Sequence, residues 1–244
     1  MNFIAIIPAR FQSTRFPGKP LAMLGNKPII QLVYEHARET LDQVWVATDD
    51  KRIAETVKRF GGQFVMTRPD HQSGTDRCAE AAQIIAKELQ FDVIINIQGD
   101  EPFIQEEQIN ALKNCFLDET TEIATLVKKA EEEDLFNPNR PKVVIDKNRN
   151  ALFFSRATIP YIRGAATETW AEEHTFYCHL GMYAYRADVL PQLTKLSPSS
   201  LELAESLEQL RWLENGFRIK TAVTKFGSIG IDTPNDLEKA RKML

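Results

Sequence analysis

Arg10, Arg15 and Lys19 stand close together in IIPARFQSTRFPGKPL, residues 6–21, and no Asp or Glu precedes Glu35. Cations gathered without acidic neighbours repel one another unless an anion is held among them. Pro17, Gly18 and Pro20 rule out a helix here. The segment follows the apolar run Phe3–Ile7, so it reads as an irregular, cation-bearing loop at the end of a buried strand. Backbone N–H groups and side-chain cations of such a loop can surround phosphate oxygens together. It is not a Walker A loop, because Gly18-Lys19 is followed by Pro20 rather than Ser or Thr, and it carries no GxGxxG fingerprint. P-loop hydrolases and dinucleotide oxidoreductases therefore lose their main support. A solvated basic loop is the plain alternative.

Three further clusters could share that chemistry. In IINIQGDEP, residues 94–102, a β-branched strand runs into Gln98, Gly99 and Asp100. Magnesium binds through one or two carboxylates together with phosphate oxygens, so an acid near a phosphate loop suits it. In SGTDR, residues 73–77, Ser73, Gly74 and Thr75 precede a helix, where they can cap it and present N–H groups to an anion. Arg77 lies in that helix's first turn against the dipole, a conflict a bound anion would relieve. In GIDTP, residues 230–234, Asp232 precedes the last helix. It serves as a cap, or as a second metal carboxylate if the fold brings it near Asp100. The second half offers Arg156, His179, Tyr183, Glu208 and Gln209; Glu208 could equally pair with Arg211 three residues on.

The elements that must position these residues alternate. Strands are expected at Phe3–Ile7, Val44–Ala47, Phe64–Met66 and Asp92–Ile97. Helices are expected over 28–40, 51–60, 75–89 and 105–117, with Gly61-Gly62 as a stop. Strand and helix in alternation imply an α/β fold with a mostly parallel sheet and helices on both faces, a three-layer α/β/α arrangement. Ligands bind such sheets at the carboxyl ends of the strands, and the candidate residues follow strands. The second half is less regular. Strands are expected over 122–128, 142–146, 151–155 and 178–186, and a polar stretch between Ile162 and Thr175 reads as a loop or arm. Ser199 and Thr233 read as helix caps. With no repeat or linker, residues 1–244 read as one domain with a small excursion.

Composition narrows the partners. Acids outnumber bases, 34 to 30, giving a net charge of −4. Nucleic acid and membrane surfaces demand a basic excess, so neither is expected as a partner. Cys78, Cys115 and Cys178 are odd in number and widely spaced, which suggests free thiols in a reducing compartment. With no secretory signal and no spanning segment, the expectation is a soluble, cytoplasmic protein.

Taken in order, IIPARFQSTRFPGKPL, ATDD, MTRPDHQSGTDR, NIQGDEP, FNPNRPKVV, FFSRATIP, HLGMYAYR, LEQLRWLENG and GIDTPNDL resemble the 3-deoxy-manno-octulosonate cytidylyltransferases. The resemblance spans essentially the full length and is weakest over Ile162–Phe176. It implies a Rossmann-like nucleotidyltransferase fold with a small dimerisation excursion in the second half, and a magnesium-dependent homodimer. It implies that CTP and 3-deoxy-D-manno-octulosonate (Kdo) give CMP-Kdo and pyrophosphate for lipopolysaccharide synthesis, the sugar's anomeric hydroxyl attacking the α-phosphorus. By the same resemblance Arg10, Lys19, Asp100 and Asp232 are catalytic, and Asp100 and Asp232 hold Mg²⁺. The nucleotide falls to Ala9, Arg10, Arg15, Lys19, Ser73, Gly74, Thr75, Arg77 and Gln98. The sugar falls to Gln98, Arg156, His179, Tyr183, Glu208 and Gln209. Rival readings are cytidylyl transfer to another sugar acid such as sialic acid, and a non-catalytic nucleotide-binding regulator; an NAD oxidoreductase lacks its glycine fingerprint.

Triphosphate chemistry concentrates charge on the leaving pyrophosphate, so the loop cations stabilise the transition state electrostatically. Arg10→Ala should accordingly lower kcat far more than it lowers the melting temperature. Steady-state turnover beside a thermal melt checks this, and near-normal turnover removes Arg10 from the mechanism.

Overall fold

A computed structural model describes residues 1–243. The chain forms two compact units: residues 1–110, 184–194 and the segment from Ser228 onward make the first, and residues 111–183 and 195–227 make the second.

The first unit is built on four parallel strands. β1 (Phe3–Ala9) pairs with β2 (Val44–Thr48) on one side and β4 (Val93–Asn96) on the other, and β2 pairs with β3 (Gln63–Met66). β1 is apolar along its length because it is central: Ile4, Ile6 and Ile7 are all essentially inaccessible. A strand covered on both faces shows a continuous apolar run rather than alternation. Parallel neighbours need crossovers, and helices supply them. α1 (Ile29–Thr40) buries Ile29, Ile30, Val33, Tyr34 and Ala37; α2 (Lys51–Arg59) buries Ile53, Ala54 and Val57. Both sets recur at helical spacing and face the sheet side. α3 (Gly74–Ile85) completes the β3–β4 crossover, burying Cys78, Ala81 and Ile85.

Local chemistry fixes where these helices begin. Asp50 caps α2, its carboxylate accepting from the Arg52 N–H at 2.9 Å. Ser73 and Asp76 form a reciprocal capping box on α3, and Thr233 and Asp236 form another on the last helix, Pro234–Arg241. Each satisfies N–H groups that the helix cannot. α2 stops at Gly61, which adopts φ 78°.

The second unit is mixed. Ile123–Lys129 pairs in parallel with Ile219–Val223, while Lys142–Ile145 pairs antiparallel with Ala151–Ser155 and with the start of Tyr177–Arg186. Ser200–Glu205 and Gln209–Glu214 are its longest helices after the shared Glu106–Cys115. Two features depart from expectation. Ile219–Val223 is a strand that the sequence pattern hides, because its inward residues include polar Thr221 beside Ile219. The stretch 162–175, read as loop, holds a 3-10 turn at Thr167–Thr169 and a short helix at Trp170–Glu173. Trp170 anchors that helix, packing buried against Leu135 and Phe176. The expected strands and helices of both halves otherwise lie within a few residues of their places.

Candidate functional site

The loop after β1 is held open by stacking rather than by regular hydrogen bonding. The Arg52 guanidinium lies 3.3 Å from the centroid of the Phe11 ring. The same ring lies against Gly18, where a Cβ would approach its Cζ to 3.0 Å. Gly18 also has φ 74°, a conformation L side chains rarely adopt, so position 18 excludes other residues on two counts. The Gly18 N–H donates to the Phe11 carbonyl at 2.8 Å, closing the loop. Lys19 then opens a short 3-10 turn, Lys19–Leu21, whose buried Pro20 roots the chain.

This loop meets the end of β4 across a very close contact. A Cβ on Gly99 would lie 2.9 Å from the Pro8 carbonyl oxygen, a backbone atom that cannot swing aside. Absence of that carbon lets the Gln98–Asp100 turn sit directly on the end of β1. Asp232 is brought to the same place by an Ile231 N–H that donates to the Asp100 carbonyl at 2.9 Å.

The result is a cleft of about 270 Å³ in the first unit. Pro8, Ala9, Arg10, Arg15, Lys19, Ser73, Gly74, Arg77, Gln98, Asp100 and Asp232 all line it, with His71 and Gln72. Thus the four separate clusters of the first-unit prediction converge. Of the expected residues in this unit only Thr75 is not a lining residue; it is buried within α3.

One sequence reading needs correcting here. The loop cations do have acidic partners, only far away in the chain. The Lys19 ammonium donates to Asp100 Oδ2 at 2.5 Å and Asp232 Oδ1 at 3.0 Å, and Arg15 lies 3.2 Å from Asp232 Oδ2. Burial works against the Lys19 ammonium, but the two carboxylates outweigh it and raise its pKa. Arg10 is exposed and forms no ion pair among the described residues. Arg77 is also better partnered than its position suggested. It is buried, donates to Thr67 Oγ1 at 2.6 Å and lies 3.3 Å from Asp49. The conflict with the helix dipole is therefore relieved by Asp49, without any bound anion.

Asp100 and Asp232 suit a hard divalent ion as a donor set. Both are oxygen ligands, both are part-exposed to the cleft, and both already converge on one cation. Among the described residues no group of three or more His, Cys, Asp or Glu gathers as metal ligands, so the remaining positions of a coordination shell would fall to phosphate and water oxygens.

In the second unit, Arg156, His179, Tyr183, Glu208 and Gln209 have clear surroundings. Arg156 donates to the main-chain carbonyls of Glu205 at 2.5 Å, Pro138 at 2.9 Å and Ser206 at 3.2 Å. Among the described residues its guanidinium meets no carboxylate, so its charge has no ion-pair partner there. Sequence reasoning missed the two residues that arrange this region. Glu205 accepts from Ser155 Oγ at 2.7 Å and from the Arg156 N–H at 2.8 Å. Buried Lys142 donates to the carbonyls of Asn137 and Arg140 at 2.8 and 2.7 Å, fixing the NPNR turn; burial lowers its pKa. A lysine in an otherwise apolar strand, directly after that turn, was the available signal.

His179 sits edge-on to Phe154 and beside Tyr183, with ring centroids 5.1 and 5.3 Å away. The residue as a whole is half-buried, and burial of the imidazole pushes its pKa down to about 3. Its Nε2 lies 3.1 Å from Thr125 Oγ1, whose single hydrogen goes to the Met182 or Leu180 carbonyl. With the hydroxyl hydrogen on its shortest contact, the Met182 carbonyl at 2.9 Å, Nε2 donates to Thr125 and Nδ1 is the acceptor of a neutral ring. Burial, reinforced by Glu208, holds the Tyr183 phenol well above its usual pKa. The Glu208–Arg211 pair exists at 3.5 Å, but Arg211 lies closer to Glu202, at 2.8 Å. Gln209 Nε2 is buried with no partner, an unusual state for an amide.

A larger hollow of about 1090 Å³ in this unit is lined by Glu131, Glu132, Glu133 and Glu168. That acidic lining repels a triphosphate.

Comparison with known proteins bears on the whole chain. A family model described as cytidylyltransferase matches residues 4–221. A 3-deoxy-manno-octulosonate cytidylyltransferase of Parabacteroides distasonis is 60% identical over 249 residues, covering 100% of this chain and 98% of its own. The Bacteroides thetaiotaomicron protein of the same name is 58% identical over 248 residues, with 100% and 98% covered. The solved structure of a CMP:2-keto-3-deoxy-manno-octonic acid synthetase complexed with CTP superposes with a TM-score of 0.91 at 41% identity, covering 100% of this chain and 98% of that one.

His179 has a measurable consequence. Below its ordinary pKa of 6.5 the unfolded chain takes up a proton that the folded chain refuses until about pH 3. The unfolded state binds more protons in that window, so stability falls as pH falls. Replacing His179 with Gln should flatten the acid-side loss of melting temperature, measured by thermal melts from neutral pH toward the acid limit. An unchanged slope would show that His179 titrates normally.

Proposed function

The chain belongs to the 3-deoxy-manno-octulosonate cytidylyltransferases, a family of nucleotidyltransferases, and from that premise we propose how its residues divide the reaction of CTP with Kdo. The reaction yields CMP-Kdo and pyrophosphate, which the resemblance assigns to lipopolysaccharide synthesis. One observation carries the division: Arg10, Arg15, Lys19, Asp100 and Asp232 share a single cleft at the carboxyl ends of β1 and β4.

The triphosphate lies against the loop cations. Arg10, having no ion pair to give up, meets the phosphates first, and Lys19 and Arg15 add charge where the pyrophosphate departs. Ala9, Ser73, Gly74 and Gln98 line the same wall, with the α3 N-terminus supplying N–H donors; Thr75 acts from behind, and Arg77 through its hold on Thr67 and Asp49. Asp100 and Asp232 would hold Mg²⁺, whose charge stabilises phosphate oxygens and favours ionisation of an attacking hydroxyl.

The sugar falls to Arg156, His179, Tyr183, Glu208 and Gln209, with Gln98. The uncompensated Arg156 guanidinium suits the Kdo carboxylate. The unpartnered Gln209 amide and the His179 Nδ1 acceptor suit sugar hydroxyls. A pocket that leaves a buried donor open discriminates against ligands lacking the matching group. The transferred proton belongs to the sugar hydroxyl; His179 stays neutral and serves as an acceptor for orientation.

Three wider proposals accompany this reading. Both units form one cytidylyltransferase domain over 1–244, supported by the family match through both and by chain crossings at 110/111, 183/184, 194/195 and 227/228. The enzyme works as a homodimer, for which the exposed Phe136 and Tyr161 beside Trp170 offer apolar surface. It is cytoplasmic, in keeping with three buried cysteines that form no disulfide. No described helix is long and apolar enough to cross a membrane.

Two measurements check these assignments. Pyrophosphate release from CTP and Mg²⁺ should be at least about a hundredfold faster with Kdo than with sialic acid at equal concentration; the reverse preference overturns the sugar assignment. Calorimetry should give one cooperative unfolding transition, and two separated transitions would divide the domain.

A further inference from the structure

We propose that Lys19 is a resident cation: its ammonium fills the divalent-ion position of the resting cleft, and the metal enters only as an incoming triphosphate draws that ammonium away. The inference rests on the reading of Asp100 and Asp232 as the metal carboxylates.

The geometry is that of a filled site. One oxygen from each carboxylate points at a single nitrogen, at 2.5 and 3.0 Å. The Lys19 side chain is 14% exposed, against 27% for Asp100 and 45% for Asp232, so the ammonium is the inner partner of both. Arg15 takes the other oxygen of Asp232 from outside, with its own side chain 65% exposed. A divalent ion cannot share these oxygens with the ammonium, because like charges at that separation repel strongly in a part-buried site. The ammonium can leave without unfolding anything. Its backbone root lies between Gly18 and buried Pro20, and a four-carbon lysine stem has the rotatable bonds to swing the ammonium about that root. A triphosphate carries about four negative charges, enough to compete with two carboxylates for Lys19. Once Lys19 turns, the two carboxylates are left together with only the exposed Arg15 beside Asp232, a state that attracts a divalent cation. Nucleotide and metal should therefore each strengthen the binding of the other, while the metal alone binds poorly.

Mn²⁺ binding without nucleotide, followed by the electron paramagnetic resonance signal of the free ion, tests this. Lys19→Met should bind Mn²⁺ about tenfold tighter than the unaltered protein. Arg15→Met, which removes the same charge from the outer side of Asp232, should change binding by less than about threefold, because exposed charges are screened. Equal affinities of Lys19→Met and the unaltered protein overturn the proposal, and so does an equal gain in both variants. Adding Asp100→Asn to Lys19→Met should abolish the gain; a gain that survives overturns the metal reading instead, since the bound ion then lies elsewhere. A second readout needs no variant. Acetylation of Lys19 by an amine-acylating reagent, quantified by mass spectrometry, should rise severalfold in the unaltered protein at saturating Mn²⁺. Unchanged labelling with the metal bound overturns the proposal even where Lys19→Met fails to fold.

Discussion

The contact of one ammonium with two carboxylates organises the first unit's cleft. Asp100 is 81 residues and Asp232 213 residues from Lys19 in the chain. Three loops that share no local sequence are thereby tied to one point. Two ionised carboxylates brought to one point repel each other, and the ammonium between them offsets that repulsion. The positions of the loop after β1, of the turn after β4 and of the segment before the last helix therefore all depend on this contact.

The fold makes the contact possible by parallel pairing. β1 and β4 run side by side in register from Phe3↔Val93 to Ile6↔Asn96, so both strands end on the same edge. Parallel strands deliver their following loops to one side, which is why a cation-bearing loop and an acidic turn meet there. The second unit uses different means. There side-chain charge is directed to main-chain carbonyls, buried Lys142 to the turn at 137–140 and half-buried Arg156 to residues 138, 205 and 206. Hydrogen bonds to charged donors are among the stronger ones available, and they fix irregular backbone that no ladder supports.

Much of this was legible in the sequence. The apolar runs of β1 and β4 announced central strands, and the Ser73 and Thr233 caps marked helix starts within a residue. The clusters around Arg10, Asp100, Ser73 and Asp232 were each visible as chemistry following a strand. What stayed hidden was pairing across long separations. The loop cations looked unpaired because their acids lie in other segments, and Arg77 looked strained because Asp49 lies on another strand's end. Ile219–Val223 escaped notice because buried Thr221 breaks the apolar pattern that marks a strand. The Trp170–Glu173 turn escaped because one tryptophan, not a periodic face, holds it in place. Glu205 lay outside every quoted block, and Lys142 sat inside FNPNRPKVV without a role; their importance comes from which carbonyls and N–H groups they reach.

The contact between Gly99 and the Pro8 carbonyl bears on how such a protein can change over generations. Most walls of the cleft are side chains, and a wall of side chains can be rebuilt by exchange, one neighbour compensating another. The floor is backbone against backbone. A larger residue at 99 cannot be accommodated by altering residue 8, because the obstructing carbonyl belongs to every amino acid alike. Drift can therefore reshape the walls, while the seam beneath them admits no compensating pair. The lining of such a cleft is free to wander; its floor is not.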